Sequence, residues 1–139
     1  MWHRRAFLGV IGAAVFVAGC GPKFNTRPPP KMYAVKGKVL LASGQPLSGG
    51  MITFHPKTKL GTDAWGEIGT DGSFQLTTIV KNDGASPGSY TVTVDPFFKG
   101  GRHSAVPASH IPPKFADPGT SDLTAEVKAE DNNLTVQLK

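Results

Sequence analysis

Glycine and proline punctuate most of this chain, and beyond Met32 no window of eleven residues free of them carries a helical apolar period. The 139 residues include 17 Gly and 12 Pro, which leaves only short runs between turn signals. Beyond Met32 those runs alternate apolar and polar residues with a period of two, the signature of half-buried strands. Seven strands are predicted: Tyr33–Leu41, Met51–His55, Trp65–Thr70, Ser73–Thr78, Ser89–Asp95, Leu123–Ala129 and Leu134–Leu138. Val35, Gly37 and Val39 share one face of the first, with Lys36 and Lys38 on the other. Ile52 and Phe54 oppose Met51, Thr53 and His55. Phe74, Leu76, Tyr90, Val92 and Val94 point inward, against outward Thr91 and Thr93. Ser43-Gly44-Gln45-Pro46, Asp71-Gly72 and Pro87-Gly88 are turns, and positive φ is expected at Gly44, Gly72 and Gly88. The fold class is all-β, a sandwich or barrel.

The length allows one domain plus a tail, too short for a multi-domain enzyme, and a single Cys excludes a disulfide scaffold. The net charge of +5 points at first to nucleic acid. Its location removes that reading. Arg4 and Arg5 lie in the first five residues, and Lys23, Arg27 and Lys31 precede Met32. From Met32 onward 10 basic residues balance 10 acidic ones.

The first segment is an address. Arg4 and Arg5 precede a 12-residue apolar run, Ala6–Val17, and then Ala18-Gly19-Cys20. As a helix, that run spans about 18 Å against a hydrocarbon core of about 30 Å, so a signal is favoured over a permanent span. Val17-Ala18-Gly19-Cys20 resembles the lipobox of bacterial lipoproteins. The resemblance implies diacylation of the Cys20 thiol, cleavage before it, and acylation of the new amine. Arg4-Arg5-Ala6-Phe7-Leu8 resembles a twin-arginine export signal, with general secretory export as the alternative. Residues 1–19 are then the signal, and residues 20–31 the lipidated Cys and a tether. Pro28-Pro29-Pro30 favours polyproline II in that tether, which reaches up to about 30 Å. Residues 32–139 form the domain.

Within the domain, several motifs recur in a familiar order: Val35-x-Gly37-x-Val39, Gly44-x-Pro46-Leu47-x-Gly49, Ile52-x-Phe54, Thr70-Asp71-Gly72-x-Phe74-x-Leu76 and Pro87-Gly88-x-Tyr90-x-Val92-x-Val94. Together they resemble carboxypeptidase-regulatory-like domains, which are transthyretin-like (prealbumin-like) Greek-key β-sandwiches. Ile111-Pro112-x-Lys114-Phe115, Thr120-Ser121-x-Leu123-Thr124 and Asn132 resemble the C-terminal part of small planctomycete-type lipoproteins carrying that domain. The resemblance implies a structural or adhesion module in the cell envelope, facing the periplasm or the surface, on the cell membrane or outer membrane. The position of Tyr90 after Pro-Gly predicts a hydroxyl bond to a nearby loop, as in the tyrosine corner of other sandwiches.

Asp95–Ser121 is a 27-residue stretch rich in Gly and Pro, and loops of that length are often functional. Phe97, Phe98, Arg102, His103 and Phe115 mix aromatic rings with cations, a set suited to glycan or peptide contact; Phe97, Ile111 and Phe115 equally suit pinning the loop to the sandwich. No metal site is expected: His55, His103 and His110 lack partners at ligand spacing, and Asp63, Glu67 and Asp71 miss the calcium-loop register. No cofactor is expected. Ser104 beside His103 does not make a triad, so no catalytic residue is assigned. A Lys36 or Lys38 cross-link to Asn133 is disfavoured by the outward direction of both lysines. The expected partners are a membrane, through the lipid, and envelope proteins or glycans; nucleic acid is not expected.

Overall fold

The computed structural model describes Gly21, residues 27–96 and residues 111–139. Seven strands follow in order: β1 (Val35–Leu40), β2 (Met51–Pro56), β3 (Ala64–Glu67), β4 (Ser73–Gln75), β5 (Gly88–Asp95), β6 (Thr124–Val127) and β7 (Asn132–Gln137). They form two sheets, ordered β4-β1-β7 and β3-β2-β5-β6, packed as an all-β sandwich. All pairs are antiparallel except β1 with β7, which run parallel from Val35↔Asn132 to Leu40↔Gln137.

The inward set follows the period-two reading. Val35, Val39, Ile52, Phe54, Phe74, Leu76, Tyr90, Val92, Val94, Val127, Val136 and Leu138 are all buried. Phe54 sits at the centre, its ring 6.2 Å from Phe74 and 5.8 Å from Tyr90. Among the described residues every buried core side chain lies between Val35 and Leu138. Gly37 shows why the first strand needs a glycine. A Cβ there would lie 1.8 Å from the Leu134 carbonyl oxygen, so only glycine lets β7 approach β1. Gly44, Gly72 and Gly88 take positive φ as expected.

Four differences from the sequence reading have physical causes. Met51 and Thr53 are buried although they face away from Phe54. β2 is an interior strand, and Thr53 is flanked in register by Trp65 on β3 and Thr93 on β5, so its outer face is crowded from both sides. Thr93 is buried by the same crowding. β4 stops at Gln75 because the chain then crosses to the other sheet. Trp65 and Thr77 exchange backbone bonds of 2.9 and 2.8 Å, stitching β3 to the end of β4. β7 begins at Asn132, two residues early. The Asn132 side chain accepts from Lys128 N–H at 2.9 Å and donates to the Lys128 and Glu130 carbonyls, closing the turn from β6.

Strand direction gives the sandwich two ends. β1 begins at the near end, where the tether enters and Tyr33 pairs with Ala85. The loops after β2, β4 and β6 lie at that same end. The loops after β1, β3 and β5 lie at the far end.

Candidate functional site

The signal residues Arg4, Arg5, Val17, Ala18, Gly19 and Cys20 lie outside the described residues. So do Phe97, Phe98, Arg102 and His103 of the proposed contact set. Phe115, the remaining member of that set, is fully buried and belongs to the core cluster. A short 3-10 turn, Pro113–Phe115, drives the ring inward, and Ile111 is buried beside the core as well. The returning half of the long loop is thereby pinned. Ser121 Oγ donates to the Val92 carbonyl, and Lys114 pairs with Asp122 at 3.1 Å on the surface. The Phe115 ring is thus a packing group and offers no face to a ligand.

Three polar side chains meet on the outer face of the β3-β2-β5-β6 sheet. β2 carries His55 outward, and β5 carries Thr93 outward. Asp63 ends the loop between β2 and β3. His55 Nδ1 lies 3.2 Å from Asp63 Oδ2, and His55 Nε2 lies 3.0 Å from Thr93 Oγ1. One tautomer satisfies all three groups: Nδ1–H donates to the carboxylate, and Nε2 accepts the threonine hydroxyl. Acid, imidazole and hydroxyl stand in the order of a nucleophile-activating triad. The setting differs from such a site. Thr93 is only 5 % exposed, at mid-strand on a paired sheet face. None of the three side chains lines the two grooves described below. What the chain of bonds does is tie the loop after β2 back onto β5. Sequence alone did not reveal this trio, because only the β2–β5 register brings His55 and Thr93, 38 residues apart, together.

A groove of about 590 Å³ runs along the polar face of the other sheet between Lys36, Lys38, Gln75 and Asn133, with Glu67 among its lining residues. Lys36 and Asn133 are register partners across β1 and β7. Both are exposed to water, so this pair lacks the desolvation that favours amide cross-linking. A second groove, about 310 Å³, lies at the near end, where Pro30–Tyr33 meet Thr58, Leu60 and Gly61.

Tyr90 fulfils its sequence reading. Its hydroxyl donates to the Ser86 carbonyl at 2.7 Å and sits 3.0 Å from Ser86 Oγ. Among the described residues no three His, Cys, Asp or Glu side chains cluster as for a metal ion, and no helix is long and apolar enough to cross a membrane.

Comparison with protein-family models, with curated proteins and with solved structures finds no match to this chain.

Proposed function

We propose that this is an exported, lipid-anchored protein of the bacterial cell envelope, in which a non-enzymatic β-sandwich serves as a structural or protein-binding module. The observation that carries the reading is the division of the chain. A basic, apolar and lipobox-like stretch ends at Cys20, and the packed domain begins only at Tyr33. Between them, Arg27–Lys31 is exposed and adds nothing to the core, as a tether requires. The sheet orders β4-β1-β7 and β3-β2-β5-β6, with four connections crossing between sheets, favour the Greek-key, transthyretin-like form of the sandwich.

A protein-binding role is supported by β7. Asn132 N–H and Leu138 N–H bond to β1, so the backbone groups of Asn133, Thr135 and Gln137 point to the other side. Among the described residues nothing pairs with that side. The strand, Asn-Asn-Leu-Thr-Val-Gln, carries no charge and no proline, the devices that normally blunt a free edge. Such an edge can accept a partner strand. The test is fractionation of the producing bacterium. The wild-type chain is expected in the membrane fraction and resistant to high-salt washing. Cys20→Ser is expected to leave that fraction, and its retention there would refute lipid anchoring.

A further inference from the structure

We infer that the groove beside Trp65, where β3 meets the end of β4, is a binding site for a neutral carbohydrate. The groove has a volume of about 430 Å³, and its lining includes Trp65, Glu67, Gln75, Thr77, Lys81 and Asn82. That volume falls within the range of about 300–1,000 Å³ taken by small-ligand clefts. The site lies at the edge of the sandwich opposite β7. It therefore leaves the partner-strand edge untouched and rests on neither that role nor the lipid.

Strand β3 sets the indole outside. Its sequence is Ala-Trp-Gly-Glu, and the two small residues, Ala64 and Gly66, take the buried positions. Trp65, the only tryptophan beyond Met32, takes the other face and stays partly exposed. A strand that only closed the sheet would gain more by turning its largest apolar group inward. Among the described residues no ring or cation stacks on the indole, and its Nε1–H has no intramolecular partner.

Close backbone approach gathers polar groups around that ring. Trp65 and Thr77 exchange backbone bonds of 2.9 and 2.8 Å, which sets Thr77 beside β3. A Cβ at Gly66 would lie 2.4 Å from the Gln75 carbonyl oxygen, so glycine lets β3 press against Gln75. The loop after β4 brings Lys81 and Asn82 to the same groove. Asn82 sits at φ 63°, a left-handed conformation that asparagine tolerates, and its N–H donates to Thr77 Oγ1 at 2.9 Å. Asp83 fixes the same loop through the N–H groups of Thr78, Ile79 and Val80. The backbone thus holds Lys81 and Asn82 in place while their side chains stay available.

Glu67, Gln75, Lys81 and Asn82 are exposed, and among the described residues their side chains make no hydrogen bond or ion pair. They supply one carboxylate, one ammonium and two amides, and the Thr77 hydroxyl, which accepts from Asn82, keeps its own proton to donate. One carboxylate offsets one ammonium, so the groove does not select phosphate or another anion. A peptide strand finds no backbone to pair with at Trp65, because its amide and carbonyl are both taken by Thr77. A sugar fits both halves of the chemistry. Its hydroxyls donate and accept, matching the mixed polar set, and its ring C–H bonds pack on the negative face of an indole.

The experiment titrates the full chain, purified from its membrane in a sugar-free detergent, with cellotriose, maltotriose and triacetylchitotriose by calorimetry. At least one is expected to bind with a dissociation constant of roughly 1 mM or tighter. Trp65→Ala should weaken that binding at least about tenfold. Trp65→Tyr, which keeps an aromatic face, should weaken it by less than about threefold. Gln75→Ala, at an exposed position, should weaken it about threefold or more without moving the melting temperature. Lys139→Glu, remote from the groove, should change nothing. Binding of none of the three sugars would overturn the inference, as would affinity unchanged in Trp65→Ala or in Gln75→Ala. Affinity that survives Trp65→Ala but is lost in Phe98→Ala would overturn it too, in favour of the long loop. So would tighter binding of inorganic phosphate than of any of the sugars.

Discussion

Replacing Asp83 with alanine tests how the loop after β4 holds Ile79 and Val80 in water. The carboxylate of Asp83 takes three backbone N–H groups from consecutive residues, at 2.6, 3.0 and 2.9 Å. A hydrogen bond to a charged acceptor contributes about 1.5–3 kcal/mol, but at this partly exposed loop water replaces much of what is lost. About 1 kcal/mol for each N–H is the reasonable scale, so Asp83→Ala should lower the local opening free energy by roughly 2–3 kcal/mol. Protection of the Thr78, Ile79 and Val80 amides against hydrogen exchange should then fall by about one to two orders of magnitude. Protection of Val92 and Val94, deep in β5, should change far less. The effect has a defined pH window. Burial pushes the Asp83 carboxyl up, but the N–H groups of Val80, Thr78 and Ile79 outweigh it and hold the group below its ordinary value of 3.8. A carboxylate depressed on folding contributes fully above the unfolded value and loses that contribution as the pH falls through the folded one. Wild type and variant should therefore differ most from neutral pH down to about pH 5 and converge only once the pH falls below the depressed folded-state value. Equal protection of the three amides in both proteins at neutral pH would refute the reasoning. So would a difference that persists unchanged in acid.

Two further substitutions test the packing. Tyr90→Phe keeps the ring against Phe54 and removes the bond to the Ser86 carbonyl, so a loss of about 1–2 kcal/mol is expected in denaturant unfolding. Ser86→Ala leaves that carbonyl bond in place and should cost distinctly less. Gly37→Ala drives a methyl group into the Leu134 carbonyl and should cost about 3 kcal/mol or more, read as a lowered melting temperature.

How much of this was legible in sequence depended on whether a feature is local. The alternation of Val35, Val39, Ile52, Phe54, Val92 and Val94 gave the buried faces directly, because the period of a strand is fixed by its geometry. The Tyr90 bond was also legible, since donor and acceptor lie four residues apart. The burial of Thr53 and Thr93 was not, because it comes from neighbours on other strands. The His55–Asp63–Thr93 trio was hidden for the same reason. Phe115 had two readings in sequence, ligand contact or pinning of the loop, and its burial supports the second. An aromatic ring in a long polar loop invites a ligand-binding reading, but a ring that large is worth more buried, and the Pro112-Pro113 turn directs it inward.

The central claim is that the protein leaves the cell interior and is held by lipid on Cys20. The most direct measurement is the intact mass of the protein purified from its native membrane, with fragmentation of its N-terminal peptide. The account predicts a chain that begins at Cys20 and carries a diacylglyceryl thioether, with the amine free or acylated. A chain retaining residues 1–19, or one beginning elsewhere with an unmodified Cys20 thiol, would contradict it.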